Sequence, residues 1–254
     1  DSVLERVIAG KHDIEKLKAE AAEARLREEK AEALQERLGP AIESSDWDSV
    51  DKICDEMVAL GGDMVEQGLM IKYQIMLFQA KDAARTGAAA KAVLDGPMKD
   101  NYRALAFIAQ TMVSPQSKID GLDMGVALKA AEQAVKLTNE KDAKVLEVLA
   151  SVHFAKGDVA KAIEVQKKAV ALDPRNARLQ FKMGEALLKS GDAVGAMAPL
   201  LDAASRGQMR AWRLLGDAAR AQGDVAGANA HYQKYLATQP SDAAEVRALL
   251  GSGG

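Results

Sequence analysis

One spacing constrains this chain more than any other feature. Gly157-Asp158, Gly191-Asp192 and Gly223-Asp224 recur at intervals of 34 and then 32 residues. Ala162, Ala196 and Ala228 keep the same intervals, and Pro174 and Pro240 lie two periods apart. A period near 34 with helical patterning between the marks is the signature of a helix–turn–helix repeat array. Each unit is then two short helices, neither of which can bury its apolar stripe alone. Gly184, Gly216 and Ala150 are small enough to let a first helix approach its partner closely, and Ala162, Ala196 and Ala228 do the same from the second helix. Gly157, Gly191 and Gly223 are expected to close each first helix in the left-handed conformation that costs glycine least. Asp158, Asp192 and Asp224 are expected to cap the helices that follow. Pro174 and Pro240 are read as stops for the second helices. Where the interval falls to 32, Ser205-Arg206-Gly207 replaces a longer turn with a proline. That predicts a shortened loop between two intact helices.

The residues inside the units carry a resemblance. The last copy reads Trp212-x-x-Leu215-Gly216-x-x-Ala219, then Ala228-x-x-x-Tyr232, then Pro240. The middle copy reads Gln180-x-x-Met183-Gly184-x-x-Leu187, with Ala196 and Leu200. The first reads Leu146-x-x-Leu149-Ala150-x-x-His153, with Ala162 and Pro174. This stretch resembles the tetratricopeptide repeat (TPR) family, departing at Ala219, where that family usually has tyrosine. The resemblance implies an all-α fold, an α-solenoid of TPR-like helix–turn–helix repeats, here preceded by a long charged helix.

Composition agrees with that class. Aromatic residues make up 4% of the 254-residue chain, too few to favour sheet, and the rest is rich in helix formers. A net charge of −3 gives no global bias toward nucleic acid or an anionic membrane surface. No apolar run reaches the roughly 18 residues that a membrane span needs, and no basic-then-apolar leader is present. The chain begins at Asp1 without methionine, which suggests a processed product or a fragment.

Taken in order, Val3, Leu4, Val7 and Ile8 mark a short helix, with Ser2 as its cap and Gly10 as its stop. Residues 13–38 read as one long helix, capped by Asp13 and ended by Gly39-Pro40. Eight acids and six bases crowd it, and its apolar seam is mostly alanine. It is read as a partly exposed connecting helix, the sharper alternative being a dimerising one, a homodimer through 13–38. Residues 41–60 form the next helix after a turn at Ser44-Ser45-Asp46. Trp47, Val50, Ile53, Cys54, Met57 and Leu60 should be its buried face, with Leu34, Leu38 and Ile42 as partners. Asp63 opens an apolar segment through Phe78, expected to be the most buried helix of this half. A short helix at 87–94 closes with Gly96-Pro97. Residues 30–95 thus read as two degenerate repeats.

Residues 101–140 carry a second resemblance. Tyr102 to Ala109 is a first helix of the repeat type, followed by a longer loop from Ser114 to Gly121 and then Asp123-x-x-x-Ala127 through Asn139. With Ser2 to Gly10 and the long charged helix, residues 1–172 look like the region downstream of the catalytic domain in bacterial thioredoxin-like (TlpA/redoxin-type) proteins. The chain thus reads in four parts: 1–10, a short helix that this resemblance makes the remnant of an upstream thioredoxin-like domain; 11–39, a long connecting helix; 40–250, the TPR-like repeat array; and 251–254, a flexible tail by its glycine and serine content. The thioredoxin-like resemblance also implies an exported or periplasmic parent, with a cytoplasmic one left open.

The chemistry of that family needs a Cys-x-x-Cys pair, in which one thiol attacks and the other resolves the mixed disulfide. This chain has a single cysteine, Cys54, on an apolar helix face, where it reads as a small buried hydrophobe. His12, His153 and His231 have no metal-ligand spacing, and His153 falls where the repeat packs an aromatic residue. No phosphate-binding glycine motif occurs. The ten methionines fall at core spacing. No catalytic residue, metal or cofactor is therefore expected.

What remains is a binding surface. In TPR arrays the first helix of each unit lines the concave face. Position by position, the resemblance places Lys144, Arg178, Lys182, Lys189, Arg210, Arg213 and Arg220 on or near that face, with Glu147, Glu185 and Asp217. Seven bases against three acids, in a chain that is net acidic, point to an acidic protein or peptide segment or a free C-terminal carboxylate. Arg178 and Lys182 resemble the carboxylate clamp of chaperone-binding TPR domains, but Ser151 and Glu185 stand where that clamp has asparagine. The bland alternative is a solvated face whose bases pair with neighbouring acids. Two functions follow. One is a non-catalytic interaction scaffold. The other is an accessory C-terminal module of a thiol-disulfide oxidoreductase whose redox domain lies outside this chain.

Overall fold

The computed structural model describes residues 3–8, 10, 14–117 and 119–251. The proposed caps Ser2 and Asp13, His12 and most of the glycine-rich tail lie outside the described residues. Among the described residues the fold is all-α, with no strand. It is a solenoid of helix–turn–helix repeats preceded by a long charged helix. Two compact units divide the chain: Asp1–Met98 with Ile119–Leu122, and Lys99–Lys118 with Asp123–Gly254.

The first unit holds α1 (Val3–Ile8), α2 (Ile14–Glu43), α3 (Trp47–Leu60), α4 (Asp63–Ile75) and α5 (Ala83–Asp95). From Lys18 to Lys30 the side chains of α2 are exposed, and short-range pairs such as Arg25–Glu29 at 3.3 Å run along it. Its last turns are different. Leu34, Leu38 and Ala41 are buried against Val50, Ile53, Cys54 and Met57, with Ile42 and Trp47 packed alongside. This packing carries α2 past Gly39-Pro40, where the sequence reading ended it. A mid-helix proline costs about 3 kcal/mol, and the burial of Leu38 and Ala41 on its two sides offsets that. The stop falls at Ser45 instead, in the left-handed conformation (φ 56°). The Ser45 amide then donates to Ile42 and the Asp46 amide to Ala41, satisfying the last carbonyls.

Asp46 caps α3 by accepting from the Ser49 amide at 3.1 Å. Charges tie the next two helices to α3. Lys72 lies 2.9 Å from Asp55 and 3.5 Å from Asp51, and Arg85 lies 3.0 Å from Asp51. Arg85 belongs to a first turn that the sequence reading left out of α5. The helix begins at Ala83 because Asp82 caps it, accepting from the Arg85 amide at 2.9 Å. Between α4 and α5 the chain makes a π-helical turn, Met76–Ala80. The wider turn rotates the register, so Phe78, expected in the core, is 42% exposed.

The second unit holds α6 (Tyr102–Met112), α7 (Met124–Leu137), α8 (Ala143–Ala155), α9 (Val159–Leu172), α10 (Ala177–Lys189), α11 (Ala193–Ser205), α12 (Ala211–Ala221), α13 (Val225–Leu236) and α14 (Ala243–Gly251). Consecutive helices pack as antiparallel pairs. Gly157, Gly191 and Gly223 take φ of 84°, 88° and 80°, and each closes its helix with the same two backbone bonds. Asp192 and Asp224 then cap α11 and α13, accepting from Gly195 at 2.7 Å and Gly227 at 2.8 Å. Asp158 departs from the pattern: it makes no side-chain cap bond, and its carboxylate lies 3.7 Å from Nδ1 of buried His153. Gly207 ends α11 as expected, but α12 has 11 residues where α8 and α10 have 13. The deletion thus shortens the helices and not the loop, against the sequence expectation: five residues separate α11 from α12, and four separate α9 from α10. Arg210, at the start of α12, supplies no side-chain cap bond, whereas Asp142 and Asn176 cap α8 and α10.

Contact within a pair depends on absent side chains. A Cβ on Gly216 would overlap the Tyr232 ring, and one on Gly184 would overlap Leu200. In the first unit, a Cβ on Gly68 would stand 2.7 Å from the Cys54 carbonyl oxygen. Gly39, inside α2, has nothing within 4 Å of that point. Gly184→Ala and Gly216→Ala should each lower stability by about 1–3 kcal/mol through overpacking, and Gly39→Ala should raise it by up to about 1 kcal/mol through helix propensity. Urea unfolding followed by circular dichroism checks both signs; a stabilised Gly216→Ala would contradict the packing.

Cys54 is fully buried, and burial pushes its thiol up to about 11 against the pull of the nearby Lys72 charge. The neutral thiol therefore persists at pH 7–9, and the thiolate that reacts is scarce as well as shielded. A chromogenic disulfide reagent should label native Cys54 at least a hundredfold more slowly than in urea. Comparable rates would show that the helix pair opens readily.

Candidate partner-binding groove

The first helices of successive units share one construction. Asn101 caps α6 by accepting from the Ala104 amide at 3.2 Å. Asp142 accepts from the amides of Lys144 and Val145, and Asn176 from those of Arg178 and Leu179. Side chains three, four and seven apart on these helices point the same way. On α8 that face presents Lys144, Glu147, Val148, Ser151, Phe154 and Ala155. Two hollows lie along it, one after the other.

The first hollow encloses about 480 Å³ between α6, α8 and α10. Tyr102, Arg103 and Phe107 border it on one side, Lys144 and Glu147 lie in the middle, and Asn176 and Arg178 close the other side. The Arg103 guanidinium stands 5.6 Å over the Tyr102 ring and donates to its hydroxyl at 3.3 Å. Glu147 is only 4% exposed. Arg178 Nε lies 2.7 Å from its Oε1, yet the N–H is not aimed at that oxygen, which has no directed hydrogen bond. The pair is held by charge. Burial pushes the Glu147 carboxyl above its ordinary range, and the Arg178 and Lys182 charges offset part of that rise.

The second hollow encloses about 310 Å³ and is mainly apolar. Val113, Pro115 and Phe154 wall it, and Ala150, Ala162 and Ala186 leave it open. Gln166, buried at its floor, donates to the Leu179 carbonyl at 2.8 Å. Lys182 and Glu185 stand at its rim, 2.8 Å apart.

The structure thus brings Lys144, Arg178 and Glu147 together and sets Lys182 with Glu185 one turn further on. It takes the other bases elsewhere. Arg213 pairs with Asp242 and lies 3.7 Å from Glu245, and Arg220 donates to the Leu249 carbonyl at 3.1 Å, so both engage α14. Asp217 accepts from the Tyr232 hydroxyl at 2.8 Å. Lys189 and Arg210 are exposed at helix ends, without an ion-pair partner among the described residues. The α6 residues Tyr102, Arg103 and Phe107 were not among the expected groove residues. The face they occupy on α6 matches that of Lys144 and Glu147 on α8, which was the available signal.

The histidines stay apart. His153 is buried beside Asp158, and His231 stacks on Trp212 with ring centroids 5.8 Å apart, while Lys234 lies 4.4 Å over the same ring. Burial and the Lys234 charge hold the His231 imidazole below its ordinary value. Among the described residues no group of His, Cys, Asp and Glu could hold a metal ion, and no helix is long and apolar enough to cross a membrane.

Comparison with known proteins agrees with this geometry. Residues 150–191 match the family described as TPR repeat, and residues 181–243 match the one described as Tetratricopeptide repeat. Among solved structures the MamA protein is 21% identical, with a TM-score of 0.54 over 69% of this chain and 92% of its own. A thermophilic TPR protein of Thermus thermophilus is 22% identical, with a TM-score of 0.52 over 74% and 98%. PilF of Pseudomonas aeruginosa is 16% identical, with a TM-score of 0.54 over 87% and 98%. None of the curated proteins compared matches the chain in sequence. Residues 150–243 of this chain are therefore tetratricopeptide repeats, set in the helical fold that such proteins share.

Proposed function

We propose that this chain is a non-catalytic interaction scaffold that holds an extended segment of a protein partner in the groove along α6, α8 and α10. The segment is acidic or ends in a free carboxylate. TPR folds typically mediate contacts between proteins, which supports the general class. The observation that carries the finer reading is the first hollow, whose lining sets three bases, Arg103, Lys144 and Arg178, against two acids, Asp142 and the buried Glu147. Lys182 contributes less, because Glu185 already neutralises it. Arg213 and Arg220 serve the docking of α14, and Lys189 and Arg210 add long-range attraction at the ends of α10 and α12.

A second reading draws on the sequence resemblance of residues 1–172: the chain accompanies a thioredoxin-like domain as its accessory module. On that reading the chain positions the redox domain and contributes no thiol of its own, because its one cysteine is sealed in the core.

Fluorescence anisotropy with an acidic peptide library at two salt concentrations tests the scaffold reading. Affinity should fall at higher salt and fall about tenfold again in Arg178→Glu and Lys144→Glu. Arg213→Glu should instead lower the unfolding midpoint, through repulsion from Asp242 and Glu245, and leave peptide affinity nearly unchanged. Binding indifferent to salt and to both groove reversals would sink the proposal.

A further inference from the structure

We infer that the outer face of α11 is a docking surface for a second copy of this chain, with the two α11 helices packed antiparallel about a two-fold axis near Ala198. The inference is independent of the groove, which lies on the first helices.

α11 has two apolar faces where a second helix needs one. The inner face serves the repeat: Ala196, Leu200 and Ala203 are fully buried, and Leu200 fills the space over Gly184. Val194, Ala198 and Leu201 follow one another at steps of four and three residues, so they share the opposite side of the helix. Val194 is 71% exposed and Leu201 43%, with Ala198 exposed between them. No charged residue occurs from Ala193 to Leu201. A helix that is apolar all round belongs inside a protein, yet one side of α11 faces outward.

The repeat itself does not require this face. Positions can be counted from the aspartate just before each second helix, Asp123, Asp158 or Asp192. Where α11 has Ala198 and Leu201, α9 has Glu164 and Lys167, and α7 has Lys129 and Glu132. All four of those charged residues are exposed. The outer face of α11 is thus a local departure, of the kind that marks a contact with another surface.

Charge identifies the occupant. Asp192 and Arg206 stand fourteen residues apart, about four turns, so they mark one flank of α11 at its two ends. Asp192 is exposed, and the Arg206 side chain is 40% exposed beside its local partner Asp202. Two copies laid antiparallel set Asp192 of one beside Arg206 of the other, twice, and Val194 of one against Leu201 of the other. A parallel arrangement would oppose like charges at both ends. The helix termini follow the same sign, because the positive end of each α11 meets the negative end of the other. The face is therefore complementary to itself, as a closed two-fold contact requires. An anionic membrane surface fits it worse: residues 193–205 include no lysine or arginine, and Asp192 and Asp202 border the face. Pairing through α11 leaves the first-helix groove of each copy open.

Sedimentation velocity of the full chain from about 1 µM to about 1 mM tests the pairing. A reversible monomer–dimer equilibrium is expected. Val194→Glu and Leu201→Glu, both at exposed positions, should each weaken it at least about tenfold while the far-UV circular dichroism stays unchanged. Charge exchange reads the register. Asp192→Arg sets base against base, and Arg206→Asp sets acid against acid. Either variant alone should stay monomeric at concentrations where an equimolar mixture of the two dimerises. Loss of the Asp192 cap cannot produce that recovery on mixing. A chain that is monomeric throughout the range refutes the inference. So does a dimer that ignores Val194→Glu and Leu201→Glu, because its contact then lies elsewhere, α2 included. Without recovery on mixing, the antiparallel register is wrong. A monomer that binds phosphatidylserine vesicles, and loses them in Val194→Glu, would make the face a lipid surface instead. None of these outcomes bears on peptide binding in the groove, so the scaffold reading stands or falls separately.

Discussion

The close approach of the two helices within a pair is the constraint on which the other features depend. A short helix in water is marginal, and its stability comes from burying one face. Here that burial is achieved by removing side chains from the point of contact. Gly184 admits Leu200 and Gly216 admits Tyr232 at separations that leave no room for a methyl group. Once a pair is locked this tightly, its turn must be short and of one geometry, which the left-handed glycine and the two backbone bonds around it supply. The first helices then line up side by side, and their remaining face becomes a surface whose residues are set by the repeat and not by a loop.

Much of this was legible because it is written in local chemistry that recurs. Gly157, Gly191 and Gly223 announce their backbone conformation, and Asp192 and Asp224 their caps. The departures arise where tertiary packing overrules local preference. Pro40 should end α2, but Leu38 and Ala41 are held by the α3 core on either side of it. Phe78 fits an apolar run, but a π-helical turn rotates it outward. Asp158 has the identity of a cap, yet its side chain turns toward His153.

The candidate site divides in the same way. Aligning units by their repeat identified a basic first-helix face, and the structure gathers Lys144 and Arg178 around Glu147. It could not reveal that α14 would take up Arg213 and Arg220, because those partners lie 29 residues away in sequence. Nor could charge counting distinguish Arg178, whose acid is buried behind it, from Lys182, whose acid is a neighbour on the same helix. The first arrangement orients a base toward solvent; the second neutralises one. Like-charged residues one turn apart thus play different parts, and only burial separates them.

Cys54 has a consequence of another kind. It is the chain's one cysteine, so no covalent bridge can form within the molecule. Full burial keeps it from joining two folded copies. The contacts that hold the described repeats together are non-covalent, and no disulfide is among them. The fold therefore does not depend on thiol–disulfide exchange: glutathione-rich and disulfide-permissive media should yield the same repeats, with the same groove.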